Sequence, residues 1–479
     1  VTFTVAPDTA TPTVYTVEAS AADGETIPEN NRRSILVNPA GRKRRVLFVA
    51  GAPGFDHSFL LRALGDDPGL EVDSVVRKGK NDDGRDTFVV QADASRAPKL
   101  APGLPSKHED LFAYDAIVLA NYEGDGFTRA QLEAASQFVS ERGGGLLMLG
   151  GRSFVQRGLA GTALESVLPV DLSDRRGQAG RSSYPMIRGA QLHAVSITPE
   201  GADHPVMRIG ASREETEKRW AALPPLASNA PLGGPRPGAS VLAVTTDQSG
   251  VYPLVAVQRF GRGRAMVFGG EASWRWQMLM PATDRSYERF WRQAVRWLAG
   301  PAPDPVSITV PDELEEGTAA VLHVDARDAA FVPAADAAID ATLTGPDGAS
   351  TTLALKHDPT GYSATTALGR AGLYRLHVDA RQGTASLGSA DRWFLAGSGE
   401  QEFADPRLNE GVLRRLARTS GGRYVPIAEA SRVAAWLSDA VPPADTAARR
   451  DIWNQPWVLG AIVSLLAAEW ILRRRWGLH

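Results

Sequence analysis

Short apolar segments alternate with segments of helical periodicity between residues 44 and 300. The stretches "RVLFVAG", "YDAIVLANYEG" and "GLLMLGG" each resemble a strand that is apolar on both faces. The clearest helix between them begins at a capping box formed by Thr128 and Gln131 and ends at Gly143. Strands buried on both faces and joined by helices form a parallel sheet. The pattern therefore predicts one doubly wound α/β domain over residues 44–300, with a late hairpin as an antiparallel extension.

Two other regions alternate polar and apolar residues with the period of a strand. Residues 303–397 contain short alternating segments with turn residues about every 8–12 residues, a spacing typical of an immunoglobulin-like β-sandwich. Residues 1–41 alternate in the same way, and two strands alone are not stable. We therefore expect residues 1–41 to be the end of a truncated β-sandwich. Because the sequence opens mid-strand at Val1, we expect a fragment of a longer chain or a processed one.

The C-terminal part contains a helical segment followed by a long apolar one. Residues 398–450 are predicted as a helical, juxtamembrane segment, with a helix that starts at Asp405-Pro406. Residues 452–472 are long enough to cross a hydrocarbon core of about 30 Å, and tryptophans stand at both ends. Arg473–Arg475 follow directly. The positive-inside rule places them in the cytoplasm and the bulk of the chain outside the cell membrane; the alternative is an amphipathic or buried terminal helix.

The amino-acid composition excludes several kinds of catalytic and binding site. The chain has no cysteine, which excludes disulfides, cysteine–zinc sites and a cysteine nucleophile. The histidines show no ligand-pair spacing, so we expect neither a metal site nor a cofactor. The net charge of −3 gives no global attraction for nucleic acid. The basic run Arg42–Arg45 precedes a strand, and we expect it to be a solvated domain edge rather than a binding patch.

A ligand site in an open α/β sheet lies outside the carboxyl ends of the strands. Gly150 and Gly151 could let a ligand approach the backbone, or could serve only a tight turn. If the Arg152 side chain faces this site, it favours an anionic ligand. The alternative is that the side chain lies in solvent. The candidate ligand-binding residues at these strand ends are His57, Glu123, Gly150, Gly151, Arg152, Ser153 and Glu271.

Three stretches of the α/β region resemble one known family. They are "RRVLFVAGAPGFDHSFLLRAL", "FVSERGGGLLMLGGRSF" and "GRGRAMVFGGEASWRW", the last followed by "RFWRQAVRWLAG". Residues 44–300 resemble the class I glutamine-amidotransferase-like domain of large bacterial membrane proteins. "LNEGVLRRLARTSGGRY" and "EWILRRRWGLH" are similar to the same proteins. The resemblance implies a flavodoxin-like sheet, a bacterial membrane protein with a periplasmic domain, and often a von Willebrand factor A-like domain upstream.

The sequence departs from that family at the nucleophile. Active members carry a cysteine on the turn, with histidine and glutamate completing a triad, whereas this turn reads Leu149-Gly150-Gly151. His204-Pro205 resembles the family's His-Pro pair but has no thiol to activate. We therefore predict a pseudoenzyme that binds a partner protein of a membrane complex or a small ligand. The alternative is a hydrolase with Ser153 as nucleophile, served by His57 or His204 as base and by Glu123 or Glu271 as orienting group.

Aromatic residues cluster in the last part of the α/β region. Phe290, Trp291 and Trp297 recur at helical spacing, which favours packing in the core. Trp274 and Trp276 lie in a predicted loop, where a carbohydrate-binding face is the alternative.

Overall fold

The computed structural model forms two compact units, residues 1–404 and 405–479. It describes residues 5, 7–8, 10–21, 23–24, 31–123, 126–154, 159–172, 192–230, 232–247, 250–311, 314–397, 408–440 and 455–477. The side chains of residues 152, 247, 315 and 440 fall outside this description.

A nine-stranded mixed sheet forms the centre of the first unit, in the order β5-β4-β3-β6-β7-β12-β11-β10-β8. In chain order its strands are β3 (Arg44–Ala50), β4 (Leu70–Lys80), β5 (Asp86–Gln91), β6 (Ala116–Ala120), β7 (Gly145–Leu149), β8 (Val195–Ile197), β10 (Ser240–Asp247), β11 (Gly250–Phe260) and β12 (Gly263–Phe268). A separate two-stranded sheet pairs β9 (Ser228–Asn229) with β13 (Gly270–Glu271).

The parallel part of the sheet confirms the predicted mixed α/β architecture. Strands β4, β3, β6, β7 and β12 run parallel to one another. Numbered among themselves they have the order 2-1-3-4-5, which is that of flavodoxin-like sheets. Strands β6 and β7 are buried along their whole length, because apolar clusters cover both faces of the sheet. The expected antiparallel extension is β12-β11-β10-β8, and β5 adds an unexpected antiparallel edge.

Helices cover both faces of this sheet. They are α1 (Phe55–Gly65), α2 (Ala97–Leu100), α3 (His108–Phe112), α4 (Arg129–Ser140), α5 (Pro199–Asp203), α6 (Arg213–Ala222), α7 (Arg275–Met278) and α8 (Ser286–Ala299), with 3₁₀ turns at Gly151–Phe154, Glu165–Val167 and Pro205–Met207. The capping box predicted for α4 is present, because the Thr128 side chain accepts from the Gln131 N–H and the Gln131 side chain accepts from the Thr128 N–H. Gly143, with φ +81°, ends the helix region as expected.

The β-rich part of the first unit consists of two sheets around one apolar cluster. The four-stranded sheet has the order β14-β16-β20-β19 and the five-stranded sheet β15-β22-β21-β17-β18. Their strands are β14 (Val306–Thr309), β15 (Leu314–Glu315), β16 (Ala319–Ala326), β17 (Ala338–Thr344), β18 (Ser350–Leu353), β19 (Lys356–Asp358), β20 (Gly361–Ala367), β21 (Gly372–Gln382) and β22 (Ala385–Gly397). Near the N-terminus, β1 (Thr13–Glu18) pairs antiparallel with β2 (Arg32–Val37).

A buried ionic cluster joins the α/β part to the β-rich part. Asp115, at the start of β6, is fully buried and accepts hydrogen bonds from Arg42 (2.6 and 2.7 Å) and Arg142 (3.0 Å). Arg42 also reaches Asp304, at 2.8 Å, in the segment that leads to β14. Arg42 and Lys43 are exposed, as predicted for a solvated edge. The prediction missed the ion pair of Arg42, because its carboxylate partner lies 73 residues away in sequence.

The described part of the second unit contains three helices: α9 (Glu410–Thr419), α10 (Ser431–Ala440) and α11 (Pro456–Arg475), with a 3₁₀ turn at Ile427–Glu429. The expected start of a helix at Asp405-Pro406 lies outside the described residues. Asn409 caps α9, because its side chain accepts from the Val412 N–H at 3.2 Å. Within the described part of the chain, α11 is the helix that is long and apolar enough to cross a membrane.

The aromatic residues of α8 confirm the core prediction only in part. Phe290 and Trp291 are buried at 1% and 0% exposure and contact Phe268. Trp297 is only half-buried, with the Arg264 guanidinium 4.7 Å from its ring centroid. Trp297 packs against the apolar cluster of the core as expected, but it lies at the margin of that cluster and not inside it.

The difference between Phe290 and Trp297 gives a stability prediction. Phe290→Ala should lower the free energy of unfolding by about 3–5 kcal/mol, since it removes a fully buried ring. Trp297→Ala should cost about 1–2 kcal/mol, for partial burial and one cation–π contact. Urea unfolding of both variants measures the difference, and an equal loss for the two would contradict this account of the core.

Candidate functional site

The carboxyl ends of the central strands carry strained backbone. Asn121 after β6, Gly150 after β7 and Ala272 after β13 have positive φ angles of 47°, 88° and 64°. Residues other than glycine adopt this region rarely, and such strain collects at functional sites. Sequence reasoning identified only Gly150, because the other two positions carry no glycine as a signal.

The Gly150 turn is packed closely against Asn121. The Gly150 N–H donates to the Phe268 carbonyl at 2.8 Å, which ties β7 to β12 beyond the last ladder pair. A Cβ atom at Gly150 would lie 2.0 Å from Asn121 Oδ1, and one at Gly51 would lie 2.2 Å from the Asn121 carbonyl oxygen. These glycines therefore make room for Asn121. Gly151, which is buried, begins the 3₁₀ turn that follows.

Ser153 is buried at 1% exposure and its hydroxyl is committed to the backbone. Its Oγ donates to the Leu149 carbonyl at 2.8 Å and accepts from the Tyr122 N–H at 3.3 Å. A hydroxyl whose proton is held by a carbonyl is not activated by a base. Ser153 is thus a structural bridge between the end of β7 and the segment after β6.

The two candidate histidines have other partners. His57 Nε2 is 2.9 Å from Ser74 Oγ, and its ring packs on Phe48. His204 Nδ1 accepts from the Val206 N–H at 3.3 Å, and its ring packs edge-on against Trp297. Burial lowers the pKa of both imidazoles, so they are neutral at pH 7. The structure does not join either ring to Ser153 by a hydrogen bond.

The remaining predicted residues are dispersed. Glu123 is exposed. Glu271 accepts from Ser228 Oγ at 2.9 Å, while its second oxygen, Oε1, is buried without a hydrogen-bond partner. The Arg152 side chain lies outside the described residues.

A carboxylate that sequence reasoning missed lies beside Glu271. Asp56, in the first turn of α1, accepts from the Ala272 N–H at 3.1 Å and from Ser273 Oγ at 3.2 Å. Burial raises the pKa of Asp56, and the nearby Glu271 charge raises it further. The hydroxyl of Tyr287 is buried near this carboxylate, and burial raises its pKa as well. The available signal was weak: an acidic residue in the first turn of a helix is common.

An exposed apolar rim borders these carboxylates. Phe55, the neighbour of Asp56 in sequence, is exposed at 66%. The half-buried Trp274 packs on Phe55 with ring centroids 5.1 Å apart. Its neighbour Trp276 is buried in α7 and donates to the Pro224 carbonyl, so it is a core residue rather than part of a binding face. Large exposed side chains in one place mark interaction surfaces.

Two concave regions lie away from these strand ends. One, of about 600 Å³, is lined by Glu165, Asp171 and Arg236 among others. The other, of about 660 Å³, lies beside Thr198 and Tyr252 at the β10 edge. Within the described residues no group of three acidic or histidine side chains is placed to hold a metal ion.

One family model matches part of the chain. Residues 91–300 match the family described as "Putative glutamine amidotransferase" (GATase1_like). This region runs from the end of β5 to the end of α8, so the chain contains a glutamine-amidotransferase-like domain. Among curated proteins, none matches this chain.

Solved structures give distant matches. A cytoplasmic protein from Salmonella typhimurium is 18% identical, with a TM-score of 0.35, and the match covers 53% of this chain and 98% of that one. Another, from Salmonella typhimurium LT2, is 19% identical with a TM-score of 0.35, covering 53% and 99%. The cold-adapted β-galactosidase from Rahnella sp. R3 is 13% identical with a TM-score of 0.28, covering 68% of this chain and 41% of that chain.

The raised pKa of Asp56 gives a pH prediction. Because the folded state holds this proton more tightly than the unfolded chain, stability due to Asp56 is greatest at low pH and is lost as pH rises from the ordinary pKa of 3.8 through the folded value. The quantity to compare is the free energy of unfolding of the native protein minus that of Asp56→Asn. We expect this difference to fall as pH rises through this window.

Chemical unfolding between about pH 4 and pH 7 measures this difference. The matched control is Asp66→Asn at the other end of α1, where the side chain is largely exposed. A difference that rises with pH for Asp56→Asn would contradict the burial of this carboxylate in a raised-pKa state.

Proposed function

We propose that this protein is a non-catalytic module of the glutamine-amidotransferase-like fold, anchored in a bacterial membrane by α11. In this proposal the larger part of the chain is extracytoplasmic, and the residues after α11 are cytoplasmic. The carboxyl edge of the sheet binds a partner protein of a membrane complex or a small ligand. The β-rich part has an immunoglobulin-like topology and serves as a second extracytoplasmic domain.

The observation that carries the non-catalytic assignment is the closed turn after β7. Glutamine hydrolysis by this family's chemistry needs a thiolate, and the chain has no cysteine. The nearest hydroxyl, that of Ser153, bonds to Leu149 and Tyr122. Asn121 fills the space beside Gly150, where a substrate carbonyl would have to approach.

The observation that favours a protein partner is the rim around Asp56. Phe55 and Trp274 offer an aromatic surface, and aromatic anchors dominate protein interfaces. The carboxylates of Asp56 and Glu271 lie directly behind it. A partner segment with an apolar side chain next to a lysine or arginine fits this combination better than the anionic ligand that Arg152 suggests from sequence.

The non-catalytic assignment predicts no glutaminase activity. The purified full chain should release no ammonia from glutamine above the buffer rate, and a serine-reactive fluorophosphonate should not label Ser153. Ser153→Ala should leave both readings unchanged. Labelling of the native protein that disappears in Ser153→Ala would establish the hydrolase instead.

Because the chain has no cysteine, single introduced thiols can test which side of the membrane each part of the chain occupies. Thr351→Cys in β18 and Gly477→Cys after α11 each introduce one thiol at an exposed position. In intact spheroplasts a membrane-impermeant maleimide should label Thr351→Cys and should reach Gly477→Cys only after permeabilisation. The reverse pattern would place the larger part of the chain in the cytoplasm.

The same approach tests the partner surface. Phe55→Cys should react with the maleimide in the purified chain but be protected in native membranes, while Thr351→Cys reacts in both. Equal reactivity of Phe55→Cys in the two preparations would remove the rim as a docking surface.

A further inference from the structure

The helices α9 and α10 leave apolar faces uncovered. Val412 and Leu416, four residues apart on α9, are exposed at 50% and 64%, and Leu413 beside them is exposed at 37%. On α10, Val433 and Leu437 are exposed at 40% and 59% and are again four residues apart. Residues at this spacing lie on one side of a helix. Each helix therefore presents an exposed apolar stripe, which is typical of a surface that contacts another molecule or a membrane.

The opposite face of α9 is basic, whereas α10 carries one arginine, Arg432, and one acidic residue, Asp439. Arg414 and Arg418 of α9 fall outside the apolar stripe by helical phase. Over residues 408–440 there are five arginines and three acidic residues, so the net charge is 5 − 3 = +2. The segment is thus amphipathic and cationic, which is the composition of helices that lie in the surface of a bilayer with anionic lipids.

Contacts within the segment hold its two helices without covering their apolar stripes. The Arg414 guanidinium lies 5.4 Å from the ring centroid of Tyr424, and that of Arg423 lies 5.1 Å from the ring centroid of Trp436. The turn between α9 and α10 also exposes Ile427 at 93%. An apolar side chain this exposed, beside two apolar stripes, extends the surface that lacks a partner.

We propose that α9 and α10 lie in the membrane surface, with their apolar stripes in the headgroup–acyl boundary and their arginines on anionic headgroups. The inference rests on the proposed anchoring by α11. Residues 441–455 connect α10 to α11, and a chain of this length spans at most about 50 Å, so the bilayer surface is within reach. The net charge of +2 favours an anionic lipid surface as the cover, because two copies of the segment carry the same charge and repel each other.

The cysteine-free chain allows the surface to be mapped residue by residue. Leu416→Cys on the stripe and Arg418→Cys on the basic face are each labelled with the fluorophore NBD in the full chain. Both are reconstituted in phosphatidylcholine vesicles with and without phosphatidylglycerol. At position 416 we expect a blue-shifted emission, loss of quenching by iodide, and gain of quenching by nitroxide-labelled lipid, all stronger with phosphatidylglycerol. Position 418 should keep the emission and iodide quenching of an exposed site.

Flotation of the same samples separates the two proposals. If the chain floats with the vesicles but position 416 remains accessible to iodide, the surface placement of α9 and α10 is overturned and the anchor stands. If the chain does not float, the proposed anchoring itself fails. If position 416 is shielded from iodide yet is not quenched by nitroxide lipid, and the shielding grows with the protein-to-lipid ratio, the cover is a second copy and the inference is wrong.

Discussion

The carboxylate of Asp115 is the constraint on which the architecture of the first unit depends. It is fully buried, and Arg42, Arg142 and the Arg45 N–H all donate to it. Removing one partner of a buried ion pair typically costs about 3–5 kcal/mol, because the other charge remains without compensation. The cluster therefore fixes three segments at once: the entry to β3, the start of β6 and the end of α4.

The same cluster extends to the β-rich part. The Arg142 guanidinium lies 3.6 Å from the ring centroid of Phe331, and Arg44 donates to Asp304 at 2.7 Å. Burial lowers the pKa of Arg142 to about 10, which still leaves it charged at pH 7. The amino-terminal edge of the sheet is thus occupied by structural contacts between the α/β part and the β-rich part.

Individual strands and helices could be predicted from the sequence, because the residues that determine each of them are close together in the chain. The period of apolar residues defined β3, β6 and β7, and the Thr128 capping box defined the start of α4. The strand ends were also found, since parallel strands place their carboxyl ends on one edge. Contacts between distant segments could not be found in this way. Asp56 meets Ala272 across 216 residues, and no local pattern indicates that the two lie together.

The role of the turn after β7 was ambiguous in the sequence for the same reason: it depends on a contact with a residue that is distant in the chain. Gly150-Gly151 fits both an open ligand site and a tight turn, because glycine permits both. What distinguishes them is Asn121, whose side chain occupies the space beside Gly150 and whose own φ of 47° is held by the neighbouring strands. The Asn121 side chain therefore fills the turn after β7, while Phe55 remains exposed and Trp274 half-buried beside Asp56.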